Sequence, residues 1–120
     1  MHAFIRAVTA ALFLFAPTLA HAHAQLRQAD PPVGGTVHSP PAQVELTFSE
    51  AVEPRFSTIT VADAAGVEVD KRDLHAVPGD AKHLAVSLGA LPPGTYTVIW
   101  HATSVDTHRT EGTFSFTVAP

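Results

Sequence analysis

The chain has 120 residues, with seven Lys and Arg against eleven Asp and Glu, eight His and no Cys. That length accommodates one domain with one modest core, and mild acidity without a basic cluster argues against nucleic acid or an anionic membrane surface as partner. Without cysteine, an exported domain of this size must hold itself together by packing alone.

The first 22 residues read as a leader. Arg6 precedes the apolar run Ala7 to Ala16, and Ala20-His21-Ala22 follows. That is the charged, apolar, small-x-small order of a secretory signal peptide, and the run falls short of the ~20 apolar residues a membrane span needs. Cleavage after Ala22 would leave residues 23–120 as a single mature domain with His23 at its start. Thr18-Leu19-Ala20 is a second tolerable triplet and would leave His21 first. The one methionine is Met1, so the mature chain carries no sulfur. A metal site in it must use nitrogen and oxygen, which suits Cu(II), Ni(II) or Zn(II) rather than Cu(I).

Strand signals dominate from there. Gln43-Val44-Glu45-Leu46-Thr47-Phe48 alternates polar and apolar with period two, and Thr58-Ile59-Thr60-Val61 repeats the pattern. Asp63-Ala64-Ala65-Gly66 predicts a turn into a short strand, Val67-Glu68-Val69. Leu84-Ala85-Val86-Ser87-Leu88 predicts another. Pro92-Pro93-Gly94 punctuates before Thr95 to Trp100, and Thr113 to Val118 closes with clean alternation. Short strands separated by Pro and Gly turns predict an all-β sandwich with Greek-key connections. Tyr96, Val98 and Trp100 should share one inward face, and Phe114, Phe116 and Val118 another.

Two features carry metal chemistry. A histidine at a processed N-terminus offers its α-amine and its imidazole to one ion. Asp106-Thr107-His108 places a carboxylate and a second imidazole two residues apart, on one side of an extended segment. Alone, D-x-H occurs by chance in many chains, and its plainer reading is a polar loop with a turn-capping Asp106 and a solvated His108. With His23 it completes three nitrogens and an oxygen, a set Cu(II) prefers and Zn(II) can also take. His75 and His83 flank the turn Val77-Pro78-Gly79-Asp80 and could meet as a second, lower-affinity site, although solvated loop histidines are the plainer expectation. Asp63, Asp70, Asp73 and Asp80 read as turn and solubility residues. No nucleophile elbow, phosphate-binding glycine loop or cysteine nucleophile is present.

His23-Ala24-Gln25-Leu26, Asp30-Pro31-Pro32, Leu46-Thr47-Phe48-Ser49-Glu50, Gly94 to Trp100, and Ser104 to His108 followed by Gly112 to Phe116 resemble, in order and spacing, the CopC family of periplasmic copper-resistance proteins. The resemblance spans essentially the whole mature chain. It implies an Ig-like (cupredoxin-like) Greek-key sandwich that binds one Cu(II) per mature chain without catalysing a reaction. His23, Asp106 and His108 match the family's Cu(II) ligands, and Glu50 matches a glutamate expected as an outer partner or long axial ligand. The implied setting is the periplasm, with a monomeric carrier and a separately encoded CopD-like inner-membrane copper transporter as partner. The chain departs from the family in lacking methionine between Asp70 and His83, so no Cu(I) methionine site is expected. Arg109 stands where proline is common, and His101 where arginine is common. Two other readings compete with a copper carrier. The same amine-plus-imidazoles set serves as the copper brace of polysaccharide monooxygenases, where Asp106 would block the oxygen position. An Ig-like scaffold module with incidental histidines is the other.

Overall fold

Alternation decides both sheets. In the computed structural model, which describes residues 23–120, Val44, Leu46 and Phe48 point inward from one strand while Gln43, Glu45 and Thr47 stay half-exposed. Eight strands form in chain order: β1 (Leu26–Asp30), β2 (Thr36–Val37), β3 (Gln43–Phe48), β4 (Thr58–Ala62), β5 (His75–Val77), β6 (Asp80–Ser87), β7 (Gly94–Thr103) and β8 (Arg109–Val118). A single 3₁₀ turn, Pro54–Phe56, precedes β4. The leader expected over residues 1–22 lies outside the described residues.

The strands divide into two four-stranded sheets, ordered β1-β3-β6-β5 and β2-β8-β7-β4. Only the β5–β6 and β7–β8 hairpins keep sequence neighbours side by side; every other connection crosses to the opposite sheet. This is the sandwich expected from the strand spacing. All pairings are antiparallel except that of β2 with β8.

The core lies between the sheets. Tyr96, Val98 and Trp100 do share an inward face, as do Phe114, Phe116 and Val118, and all six are buried. Phe48 meets Trp100 edge-on at 5.3 Å between ring centroids, and Tyr96 stacks on Phe116 at 5.5 Å. Both geometries suit aromatic quadrupoles. The Tyr96 hydroxyl donates to the Pro92 carbonyl four residues upstream, the tyrosine-corner contact of many sandwiches.

Trp100 depends on the absence of a side chain opposite. Its cross-strand partner is Gly112, and a Cβ added there would sit 2.6 Å from the indole Cζ2. Gly112→Ala must therefore displace a buried ring. We expect it to destabilise the domain by about 1–3 kcal/mol, the usual cost of overpacking. A lower urea midpoint at unchanged m value would register this, and an unchanged midpoint would show that the indole moves freely.

The strand expected at Val67-Glu68-Val69 does not form. Only isolated bridges, Ala62 with Glu68 and Asp70 with Leu88, remain there. Polar side chains take over the backbone bonding. The Asp63 carboxylate accepts from the Ala65 and Val67 amides at 2.9 Å each, curling the chain through Gly66 at φ +83°. Asp70 Oδ1 then accepts from the Val61 amide at 2.8 Å, where a ladder carbonyl would stand. These aspartates serve as turn residues, as expected. Conversely, β6 begins at Asp80, earlier than its apolar run suggests, because Gly79 at φ +79° closes a tight hairpin with β5.

Candidate metal centre

Ser104 to His108 is the connection between β7 and β8. It is a compact turn rather than the extended segment expected. The Ser104 amide donates to the His108 carbonyl at 2.9 Å, the Thr107 amide donates to the Ser104 carbonyl at 2.9 Å, and Thr107 adopts φ +74°. The turn still achieves convergence: His108 Nδ1 lies 3.3 Å from Asp106 Oδ1, with both side chains about half exposed.

Ser104 sets the state of that carboxylate. It is buried, and its hydroxyl donates to Asp106 Oδ1 and reaches the His108 carbonyl at 3.3 Å. Donation from Ser104, with a smaller contribution from His108, holds the Asp106 carboxyl below the usual carboxylate range. An anion that keeps its charge at low pH is the form a metal requires.

Residue 23 is brought to this turn by its neighbours. Ala24 is fully buried in the core. Its carbonyl accepts from Thr110 Oγ1 at 2.7 Å, which ties it to β8 just beyond His108. The Gln25 amide donates to Ser49 Oγ at 2.8 Å, and the Ser49 amide returns a bond to the Gln25 carbonyl at 2.8 Å. Residue 23 is thus held between the end of β3 and the start of β8. Its imidazole sits edge-on to that of His108, with centroids 4.9 Å apart and an interplanar angle of 84°. Two imidazoles sharing one ion through bonds of about 2.0–2.1 Å have centroids roughly 4.5–6.5 Å apart, so the spacing fits.

The structure therefore brings His23, Asp106 and His108 together as two contacting pairs that share His108. Among the described residues no three His, Asp or Glu side chains form a finished ligand cluster. The remaining donor, the backbone nitrogen of His23, is a free amine only in a chain that begins there. Glu50 is half-buried one residue beyond Ser49, and among the described residues its carboxylate has no hydrogen-bond or ion-pair partner.

The other histidines take separate places. His101 faces outward from β7 and pairs with Glu111 at 3.0 Å. His75 and His83 do not meet: His75 lies opposite Ala85, with its Nδ1 2.8 Å from the Asp73 carbonyl, while His83 sits in β6 beside Glu45 and Asp80. His83 is consequently not a solvated loop residue. Sequence reasoning assigned no role to Ser49, Ser104 and Thr110, the hydroxyls that assemble the site. A serine two residues before the aspartate of D-x-H is the one signal that could have flagged Ser104.

A small two-sheet β-sandwich on which residue 23 meets the β7–β8 turn, so that two imidazoles and a carboxylate lie together, defines a class, that of small β-sandwich domains with clustered nitrogen and oxygen donors. Residues 26–119 match the CopC domain, and the chain belongs to the CopC family of copper-resistance proteins. It is 38% identical over 98 residues to Protein YobA of Escherichia coli K12, covering 81% of this chain and 79% of that one. It is 35% identical over 106 residues to Copper resistance protein C of Pseudomonas syringae pv. tomato, covering 83% of each. The crystal structure of CopC from Methylosinus trichosporium OB3b superposes with a TM-score of 0.77 at 32% identity, covering 82% of this chain and 95% of that one. Proteins of this family bind copper, are typically periplasmic and are not enzymes.

Proposed function

We propose that the protein is a periplasmic Cu(II) carrier or buffer that binds one ion per mature chain. The α-amine and imidazole of His23, the imidazole of His108 and the carboxylate of Asp106 supply the donors. One observation carries this reading: hydrogen bonds to residues 24 and 25 seat the His23 ring 4.9 Å from that of His108. Three nitrogens and one oxygen suit tetragonal Cu(II), which tops the affinity order for such donors. Glu50, one residue beyond Ser49 and without a partner among the described residues, would serve as an outer or axial carboxylate. With no sulfur after Met1, the domain holds copper in the oxidised state and does not relay it to a Cu(I) methionine site. A CopD-like membrane transporter is the proposed partner for the cargo.

The leader over residues 1–22 is part of the proposal, because removing it creates the amine. Intact mass of the exported protein, with and without Cu(II), tests processing and stoichiometry together. The expected species begins at His23 and gains one copper. A species that begins there and retains no copper would overturn the reading.

Ser104 supplies a sharper test of the carboxylate. A depressed pKa means that the ionised form persists as pH falls and is lost only below the ordinary carboxylate value of about 3.9. Ser104→Ala removes the main cause, so the Asp106 titration, followed by carboxyl ¹³C shifts in the metal-free protein, should move to higher pH. Cu(II) affinity at neutral pH should fall by about 10–100-fold, as when a ligand loses the group that orients it. An unmoved titration would remove Ser104 from the account.

A further inference from the structure

The outer face of the β1-β3-β6-β5 sheet carries a second set of donors unrelated to the chain start. Asp30 lies opposite Glu45, Gln28 opposite Thr47, and Thr47 opposite His83, so these side chains share one surface across three strands. Together with Asp80 they line a cleft of about 350 Å³. Ala85, opposite Glu45, contributes only a methyl group.

His83 is the unusual member. Its side chain is 21% exposed, and its Nε2 is buried with no hydrogen-bond partner, which native proteins rarely tolerate. On one side of the ring Asp80 Oδ2 lies 3.7 Å from Nδ1, while Asp80 Oδ1 accepts from the Lys82 amide. At 3.7 Å that separation is longer than a hydrogen bond, so Asp80 stands beside the ring without closing on it. On the other side Glu45 Oε2 lies 3.6 Å from that Nε2, while Oε1 is taken by Gln43 Nε2. A buried, unpartnered ring nitrogen and a carboxylate oxygen thus face each other beyond hydrogen-bond reach, a gap that a cation could fill.

The separation is that of two donors on one tetrahedral ion rather than of a shared proton. A shared proton would draw the pair to about 2.7–2.9 Å. Zinc bonds of about 2.0–2.2 Å opened to a near-tetrahedral angle of about 110–120° span about 3.4–3.6 Å, which matches the separation of Nε2 and Oε2. We propose that His83 Nε2 and Glu45 Oε2, completed by Asp30 and water, form a second site for a tetrahedral borderline divalent ion of the Zn(II) class. Asp80 flanks the imidazole and is not a ligand.

The test is a Zn(II) titration of the mature chain already loaded with one equivalent of Cu(II), read by calorimetry and native mass. One Zn(II) per chain is expected. His83→Ala and the shape-conserving Glu45→Gln should each weaken zinc binding at least tenfold and leave the Cu(II) resonance spectrum unchanged. Zinc binding equal to wild type in both variants, or none on the copper-loaded chain, would overturn the proposal. Long-range ¹H–¹⁵N spectra of the metal-free chain with Zn(II) read residue 83 directly. A coordination shift at His83 Nε2 supports the site whether or not His23, Asp106 and His108 hold copper, and its absence refutes it.

Discussion

His108→Ala should lower Cu(II) affinity by more than about a hundredfold. Losing a group that merely orients a ligand costs about 10–100-fold, and His108 is the residue shared by both contacting pairs of the site. A hundredfold loss corresponds to about 2.7 kcal/mol of binding free energy. Among the described residues no spare imidazole stands ready to replace it: His101 is engaged by Glu111 on an outer sheet face, and His83 belongs to the other sheet. The fold should survive, because the side chain is 46% exposed. Thermal unfolding separates the two effects. In the wild type a thousandfold excess of copper over Kd should add about 4 kcal/mol to stability, at roughly 4–8 °C of Tm per kcal/mol for a domain of this size. The variant should keep its metal-free Tm and lose most of that rise. A copper-induced rise as large as the wild type's would remove His108 from the site.

The sandwich was legible because β3, most of β7 and the end of β8 alternate, and burial follows that alternation at Val44, Leu46, Phe48, Tyr96, Val98, Phe114 and Phe116. The strand read at Val67 to Val69 failed where the aspartates at 63 and 70 captured backbone amides. Period-two alternation reports which side chains could face a core; it does not report competition for hydrogen bonds. The candidate metal residues were legible as donor types, but not as an assembly. His23 and His108 are distant in sequence, and their approach depends on Thr110 and Ser49, whose hydroxyls carry no distinguishing pattern. The expected i, i+2 convergence of Asp106 and His108 was reached by a different route, a turn closed by Ser104 and the left-handed Thr107. The cleft at His83 was hidden for the same reason, since register places Asp30, Glu45 and His83 on neighbouring strands and no local motif contains them.

The largest effect should come from the chain start itself. A form that retains even one residue ahead of His23 converts the amine into an amide, removing one nitrogen and opening the chelate ring. Its Cu(II) affinity should fall more than about a hundredfold, on the same reasoning as for any lost ligand. The processed form should also lose affinity as pH drops, since copper must displace protons from the amine and both imidazoles, while Asp106 stays ionised. Cleavage after Ala20 makes the contrary case. A chain beginning His21-Ala22-His23 could surround Cu(II) with its amine, two deprotonated amides and the third-position imidazole in a square plane, without using the sandwich. The folded site needs residue 23 where it now lies, since Ala24 is buried and its carbonyl is tied to Thr110, holding residue 23 against His108. Electron paramagnetic resonance of the processed protein separates the two. Three nitrogens and one oxygen, altered by Asp106→Ala, are expected, and copper should then raise the Tm of the domain. A four-nitrogen spectrum indifferent to both Asp106→Ala and His108→Ala, with no change in Tm, would instead assign the metal to a local peptide site uncoupled from folding.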